Sequence, residues 1–266
     1  PMRPITSLLA AFVFFSLMTS CQKVTESDIT DAQNTAFGFQ IIQDLLRVVG
    51  QGIETGIVGD LKKESAMGID GGIVTRDSVN QVLTIDFPEE YMGTRSGHKF
   101  KGKVIIQYNE FKFNQDGFKA DLTFENFTIN GNSVNVVNGV PLIIEAVPNG
   151  AAQKTWTLKN QIDAVSIGVI YKFDIQTSVV SGYETAEFLD DVYETKGNIQ
   201  IDDSRDGTYE TYNVIETLIK RNDCVFISKG IIKNDNFGSI DFGDGTCDEY
   251  VHLTIGSGSP YRVAIK

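Results

Sequence analysis

Histidine and basic residues are scarce in this 266-residue sequence, whereas acidic residues are plentiful. The chain has 23 Lys and Arg against 35 Asp and Glu, which gives a formal charge of −12 at pH 7. Nucleic-acid binding requires a basic surface, because neutralisation of phosphates supplies much of the binding free energy. The composition therefore excludes nucleic acid as an expected partner. It also disfavours attachment through anionic lipid headgroups, and we interpret the negative charge as a means of keeping the protein soluble.

The shortage of histidine limits the catalytic chemistry that the chain offers. Only His98 and His252 are present, so a Ser-His-Asp triad has few candidates. We expect His98 to lie in a solvated loop and His252 to face outward from a strand, since it alternates with Val251 and Leu253. A glycine-rich phosphate loop and a dinucleotide fingerprint are both missing, and no cofactor is expected. Scattered carboxylates leave a hydrolase of the glycosidase type open, but the sequence does not pair them.

Long apolar runs are also missing, except at the N-terminus. Residues 5–18 are mainly apolar and follow Arg3, which is typical of a signal peptide and too short to span a bilayer comfortably. The run ends in Leu-Met-Thr-Ser-Cys, and this segment resembles the lipobox of bacterial lipoproteins. The resemblance implies that residues 1–20 are removed and that Cys21 receives the lipid. We therefore expect anchoring through acyl chains at the cell envelope, on the outer membrane; an ordinary secretory signal is the alternative.

Cysteine is rare as well, since only Cys224 and Cys247 follow Cys21. Two cysteines in an oxidising compartment predict one disulfide. A two-residue loop at Asp235-Asn236 would place the two cysteines directly opposite each other in a hairpin. Opposed residues have Cα atoms about 4.5–5.5 Å apart, which a disulfide accepts. Without a paired C-x-x-C motif, a zinc site that used these cysteines and His252 has poor spacing.

The composition favours β-structure in the mature chain. Phe and Tyr are frequent, with 17 and 9 residues, whereas only 6 residues are Pro. Gly, Asn and Asp recur at short intervals, as expected for tight turns between strands. We predict an all-β domain over residues 70–266, built as an antiparallel meander that forms a sandwich or a strongly curved open sheet. Two similar halves within this domain are a further possibility.

One helix is expected before this domain. Residues 21–31 are polar and predict a tether, and residues 32–58 have helical spacing of apolar residues. The first stripe consists of Phe37, Ile41, Leu45 and Val48. We expect this face to pack on the sheet, with Asp28 or Asp31 capping the start of the helix. A helix on the membrane surface is the alternative, but basic residues hardly flank the stripe.

Several turns and one irregularity can be assigned within the β-region. Asn-Gly at 130–131 and 138–139 and Asp-Gly at 206–207 are typical of hairpin turns. A change of parity near Glu125-Asn126 predicts a β-bulge. Residues 165–175 alternate without interruption between apolar and other residues, which predicts a single strand with one buried face.

Two acidic, glycine-containing loops are weak calcium candidates. Residues 202–207 match the first half of a calcium loop, but Asn213 occupies the position of the closing glutamate. The second loop contributes Asp241, Asp244 and Asp248. We favour a polar hairpin tip for the first loop and a tight turn set by glycines for the second. No metal is therefore expected.

The second loop also carries a family resemblance. Residues 241–248, Asp-Phe-Gly-Asp-Gly-Thr-Cys-Asp, resemble the closing motif of a group of uncharacterised lipoproteins common in Bacteroidota. Residues 83–87 and 101–108 are similar to the opening motif of that family, so the resemblance covers about residues 80–266. The loop before Lys101 lacks the cysteine that the family often has there, which excludes a second disulfide. The resemblance implies a cell-envelope location and no known activity.

These observations predict a lipid-anchored envelope protein that acts as a non-enzymatic binding or structural module. An alternative is a surface glycan-binding protein, in which Trp156 and exposed tyrosines form a stacking platform; a carboxylate-based hydrolase is a third. Burial of Trp156 would favour the structural role, and exposure beside tyrosines would favour glycan binding. The expected partner is an envelope protein or a glycan, and the oligomeric state stays open.

Overall fold

The computed structural model describes residues 24–53, 65–67, 72–92, 99–109, 115–148, 155–182 and 190–265. Within these ranges the protein has one α-helix, α1 (Glu26–Ile53). The strands are β1 (Ser65–Met67), β2 (Ile73–Asp77), β3 (Val82–Met92), β4 (Lys99–Tyr108), β5 (Lys119–Ile129), β6 (Asn132–Val136), β7 (Leu142–Ala146), β8 (Thr155–Ala164), β9 (Val169–Ser181), β10 (Val192–Asp202), β11 (Glu210–Arg221), β12 (Ile227–Asn234), β13 (Gly238–Asp244), β14 (Tyr250–Thr254) and β15 (Tyr261–Ala264).

All fifteen strands belong to one antiparallel sheet, and nearly all of them pair with their neighbours in the chain. The order is β1-β2-β3-β4-β5-β6-β8-β9-β10-β11-β12-β13-β14-β15, while β7 pairs with both β5 and β8. The predicted antiparallel meander with an N-terminal helix is therefore confirmed.

The sheet curves around α1. Gln33 Nε2 donates to the carbonyl of Ala264 in β15 over 2.8 Å, and the Tyr171 hydroxyl in β9 donates to the carbonyl of Asn34 over 2.8 Å. Strands β9 and β15 are six positions apart in the sheet. In a flat sheet that separation would be roughly 29 Å at about 4.8 Å per strand. Because adjacent helix residues contact both strands, the sheet must be strongly curved.

The helix is consequently enclosed rather than packed by one face. Every residue from 38 to 50 is buried, which is more than three turns and covers the whole circumference. At Gly38, a Cβ atom would lie 2.5 Å from Cε1 of Tyr171, so only glycine permits this approach of helix to sheet. The apolar stripe predicted that one face of the helix packs on the sheet. The structure shows this contact, and the curved sheet buries the other faces as well.

The helix also begins earlier than predicted, within the expected tether. Thr25 and Asp28 form a reciprocal cap, in which the amide of Asp28 donates to Thr25 Oγ1 and the amide of Thr25 donates to Asp28 Oδ2. This arrangement satisfies amide groups that the first turn leaves without helical partners. Residues 54–58, the predicted end of the helix, and Cys21 lie outside the described residues.

The turn at Asn130-Gly131 and the bulge at Asn126 are confirmed. Asn130 and Gly131 both have positive φ angles, 53° and 79°, and they connect β5 to β6. The register between β4 and β5 shifts opposite Asn126, whose φ is 50°. A Cβ atom on Gly102 would lie 2.2 Å from the carbonyl oxygen of Asn126, so the bulge requires glycine in the facing strand.

The strand predicted over residues 165–175 begins later than expected. Val165–Ile167 forms a 3-10 turn that ends at Gly168, which has a φ of 76°. Strand β9 then starts at Val169. The alternation of apolar residues extends through the turn, so the pattern alone does not show where the strand starts. The left-handed backbone of Gly168 ends the turn, and the strand begins after it.

The terminal hairpin has a different loop from the predicted one. Asn234 pairs with Gly238, so three residues, 235–237, form the loop instead of two. The side chain of Asn234 accepts hydrogen bonds from the amides of Asn236 and Phe237, over 2.7 and 2.8 Å, which stabilises the wider turn.

The predicted disulfide between Cys224 and Cys247 is confirmed, with a Cα–Cα distance of 5.7 Å. It does not join opposed residues of the ladder, however, because β12 begins at Ile227 and β13 ends at Asp244. The bond connects the two segments just beyond the hairpin, so it tolerates the shifted register.

Candidate functional site

The candidate site lies where the sheet forks. Strands β6 and β7 follow each other in the chain, but each pairs with β5 and β8 and not with the other. Strand β8 pairs with β7 through residues 156–159 and with β6 through residues 162–164. Residues 160 and 161 therefore face the gap between β6 and β7. A cavity of about 470 Å³ opens there, and we call it the fork cavity. This volume is within the range of about 300–1,000 Å³ that is typical of small-molecule sites.

The cavity lining combines amides and charged groups with three apolar residues. The connection between β6 and β7 contributes Val137, Asn138 and Val140, strand β8 contributes Lys159, Asn160 and Gln161, and strand β9 contributes Lys172, Phe173 and Asp174. Three amides, two ammonium groups and one carboxylate thus surround one cavity.

Strand alternation and register bring the charged groups together on the outer face. Lys159 is paired with Asp174, and Gln161 is paired with Lys172, across β8 and β9. Phe173 lies between Lys172 and Asp174 in sequence but is buried, because successive side chains of a strand point to opposite faces. Among the residues that the structure describes, none forms an ion pair with Lys159 or Lys172.

Two asparagines of the cavity have left-handed backbones. The φ angle is 52° at Asn138 and 86° at Asn160, and asparagine tolerates this region better than most other residues. The side-chain amide of Asn160 donates to the carbonyl of Pro141 over 2.7 Å. This bond connects β8 to the segment between β6 and β7, so it holds the two sides of the gap together.

The cavity also differs in charge from the rest of the molecule. Its lining has two lysines and one aspartate, a formal charge of +1, whereas the whole chain has −12. The ammonium group of Lys172 lies 5.9 Å from the ring centroid of Tyr209, which is not itself a lining residue. The cavity is therefore a locally cationic site with an aromatic ring beside it.

A second, smaller cavity lies at the start of α1, and it is acidic. It has a volume of about 40 Å³, and its lining includes Asp31, Asp203, Glu210 and Tyr212. Burial, followed by the negative charges of Asp203, Glu210 and Asp28, raises the pKa of Asp31 to about 6. A volume of this size holds little more than water. Within the described part of the chain, no group of His, Cys, Asp and Glu is placed to hold a metal ion.

A third polar feature is fully buried between helix and sheet. Four helix residues at helical spacing, Gln40, Gln43, Asp44 and Arg47, are at most 5% exposed, and they face Thr195 and Lys220. We call these six residues the buried polar seam. Gln43 donates to Thr195 Oγ1, and Gln40 donates to the carbonyl of Val225.

The seam contains two cations and one anion. Lys220 Nζ donates to the carbonyls of Cys224 and Val225, and Arg47 Nε lies 3.9 Å from Asp44 Oδ1. Burial lowers the pKa of Lys220 to about 8; the charge of Asp44 opposes this effect and that of Arg47 adds to it. Because these contacts require one rotation of the helix, we assign the seam a structural role in positioning α1.

The predicted aromatic platform is not available on the surface. Trp156 is 2% exposed and lies in β8, between Ala146 in β7 and Thr177 in β9. A ring in this position cannot stack on a ligand outside the sheet. His252 is exposed on β14, as expected, and His98 lies outside the described residues.

The calcium candidates of the terminal hairpin do not converge on one point. The side chains of Asp241, Asp244 and Asp248 each accept a hydrogen bond from a backbone amide two residues later in the chain, over 2.8–3.0 Å. Asp202 similarly accepts a hydrogen bond from the amide of Gly207, over 2.9 Å. These carboxylates stabilise turns.

No helix among the described residues is long and apolar enough to cross a membrane.

The fork cavity has no counterpart among the sequence predictions. Asn138-Gly139 predicted a hairpin, yet Val137–Gly139 forms a 3-10 turn and the chain continues to Pro141 before β7 starts. Pro141 could have indicated this departure in the sequence. It has no amide hydrogen to donate to a neighbouring strand, so it disfavours a regular two-residue hairpin at this point.

The chain matches no protein-family model, no curated protein and no solved structure. The resemblance to lipoproteins of Bacteroidota therefore stays a prediction, and arguments about function depend on the site itself.

Proposed function

We propose that this protein is a lipid-anchored, non-enzymatic binding module of the cell envelope, which holds a small hydroxylated ligand in the fork cavity. The observation that carries the proposal is the lining of the cavity, where three amides and three charged groups surround about 470 Å³. Amides both donate and accept hydrogen bonds, ammonium groups donate and carboxylates accept. Hydroxyl groups do both, so this mixture is suited to a ligand rich in hydroxyls.

Apolar groups in the same cavity support a carbohydrate in particular. Val140 is 50% exposed and lies with Val137 at one side of the cavity. A sugar ring presents C–H groups on its faces and hydroxyls at its edge, so it needs both kinds of contact. Tyr209 adds an aromatic ring next to Lys172. This site thus replaces the platform that the sequence placed at Trp156.

The carboxylates of the cavity favour binding over hydrolysis. Glycoside hydrolysis uses two carboxyl groups that are about 5–10 Å apart. Asp174 is the one carboxylate among the described residues that line the cavity. We therefore place the hydrolase third, behind a binding module and a purely structural protein.

Closing the cavity is expected to abolish binding. In a Val140→Trp variant, the indole would occupy the mouth of the cavity, and we expect at least a tenfold loss of affinity, because ligand and indole would compete for one space. Affinity would be measured by calorimetry with neutral and uronic-acid trisaccharides as probes. The matched control is Ile73→Trp, since Ile73 is 41% exposed and lies in β2, distant from the cavity in strand order.

Retained affinity in Val140→Trp, or no binding of either trisaccharide by the unaltered protein, would contradict the proposed binding function. Loss of affinity in both variants would point to a general disturbance of the sheet and would remove the fork cavity as the explanation.

The lipid anchor has an independent test. We expect a Cys21→Ser variant to lose incorporation of labelled palmitate in a host that processes lipoproteins, because the thiol is the predicted acceptor of the lipid. A Cys224→Ser/Cys247→Ser variant is the matched control and should keep the label, since those two cysteines form a disulfide. Label that persists in Cys21→Ser would refute the anchoring at this residue.

A further inference from the structure

We infer that the ligand of the fork cavity is an acidic sugar, a hydroxylated ring that bears one carboxylate, as in an oligosaccharide that contains a uronic acid. The inference rests on the proposed binding function and specifies its ligand. It follows from the charges of the lining, from their arrangement across two strands, and from the donor groups that accompany them.

The arrangement of the charges leaves one ammonium group for a ligand. Asp174 lies directly opposite Lys159 in the β8–β9 pair, so its charge counters that of Lys159 in the local balance, although the two groups form no ion pair. Lys172 is instead opposite Gln161, which has no charge. A cavity with two cations and one anion therefore has one positive charge to neutralise. A ligand with a single carboxylate matches this charge.

The donor set favours a carboxylate over a phosphate. Phosphate sites commonly use the backbone amides of a helix N-terminus or the planar fork of arginine. Of the described residues that line the cavity, none is an arginine and none belongs to α1. A phosphate monoester would also bring almost two negative charges to a cavity with a formal charge of +1.

The amides then account for the sugar part of the ligand. Asn138 and Gln161 line the cavity from different elements, one from the segment that connects β6 to β7 and one from β8. Each offers a donor and an acceptor, which suits neighbouring hydroxyls of one ring. Val137 and Val140 provide the apolar contact for its C–H face.

The charge of the whole protein restricts the size of this ligand. At −12, the surface repels polyanions over distances of about a Debye length, 8 Å at physiological salt. An acidic group inside the cavity has the two lysines of the lining beside it, which an acidic group elsewhere on the surface does not. A short oligosaccharide with isolated carboxylates is therefore preferred to a densely charged polymer.

The test uses calorimetry on the full chain to compare the binding of two trisaccharides. One consists entirely of galactose, and the other has galacturonic acid in place of one galactose. We expect the acidic trisaccharide to bind about tenfold more tightly, which is the typical contribution of one hydrogen bond to a charged group. A Lys172→Gln variant should lose this preference, so that the acidic and the neutral trisaccharide bind it with equal affinity. Lys196→Gln is the control, because Lys196 is an exposed lysine of β10 that does not line the cavity.

The outcomes separate this inference from the function on which it rests. Equal affinity for both trisaccharides, unchanged in Lys172→Gln, would overturn the acidic ligand while the binding function stands. Tighter binding of galactose 6-phosphate than of galacturonic acid would overturn the choice of a carboxylate. If neither trisaccharide binds, both proposals fail. A preference for the acidic trisaccharide that disappears in Lys172→Gln, and that decreases with added salt, supports the inference.

Discussion

An Asp44→Leu variant is expected to lose roughly 3–5 kcal/mol of unfolding free energy, the usual cost of removing one partner from a buried ion pair. Asp44 is 1% exposed, and it is the carboxylate of a seam that also contains Arg47 and Lys220, both 4% exposed. Its removal leaves two buried cations together in the interior. Denaturant unfolding followed by circular dichroism would measure the loss.

The companion variants make this prediction specific. Arg47→Leu leaves Asp44 beside Lys220, one anion with one cation, and should therefore cost less than Asp44→Leu. The double variant removes anion and cation together and should cost less than the sum of the two single losses, because the groups interact. Strict additivity would show that the seam charges are not coupled.

The loss in Asp44→Leu should also depend on pH. Lys220 has a pKa near 8 in the folded protein and a usual value of 10.5, so the unfolded chain binds more protons between these values. Stability therefore increases as pH rises through this window. Without Asp44 the folded pKa decreases further, and Lys220 can release its proton at lower pH. We expect the deficit of the variant to be smaller at pH 9 than at pH 6; an unchanged deficit would argue against a charged Lys220.

Removal of the disulfide is the second change with a large expected effect. A Cys224→Ser/Cys247→Ser variant should lose about 3 kcal/mol, as the chain-entropy model gives for a cross-link across 23 residues. The segment that the disulfide anchors also contacts the buried polar seam, because the carbonyls of Cys224 and Val225 accept hydrogen bonds from Lys220. The loss should therefore extend to α1.

Hydrogen exchange would detect this extension, as faster exchange of the α1 amides near Gln40 and Gln43 in the variant. Arg221→Gln/Asp223→Asn is the matched control, since this neighbouring ion pair is 46% exposed at both side chains and such pairs contribute about 0–1 kcal/mol. Addition of reductant should reproduce the cysteine variant. Identical unfolding midpoints with and without the disulfide would contradict the prediction.

Local patterns were sufficient for the features that depend on neighbouring residues. The positive φ of Asn130 follows from its Asn-Gly turn, and the bulge at Asn126 follows from the change of parity around it. The pairing of Cys224 with Cys247 was predictable because two cysteines flank one hairpin. These features are set within a few residues or within one pair of strands.

The candidate site could not be derived in the same way. Its nine lining residues come from two strands and a connection, and the gap exists only because β6 and β7 both pair with β5 and β8. The positions of Lys159 and Lys172 in the sequence do not show that β8 pairs with both β6 and β7 and leaves a gap between them. Burial of Trp156 depends equally on the strands beside it.

The antiparallel meander and the helix before it follow from the amino-acid sequence alone, because turn residues and the period of the apolar positions predict them. The curvature of the sheet around α1 is visible only in the folded protein. So is the burial of four polar helix residues with the apolar stripe, namely Gln40, Gln43, Asp44 and Arg47. Periodicity describes one element at a time. Curvature and strand forking depend on contacts between residues far apart in the chain, and these contacts form the cavity.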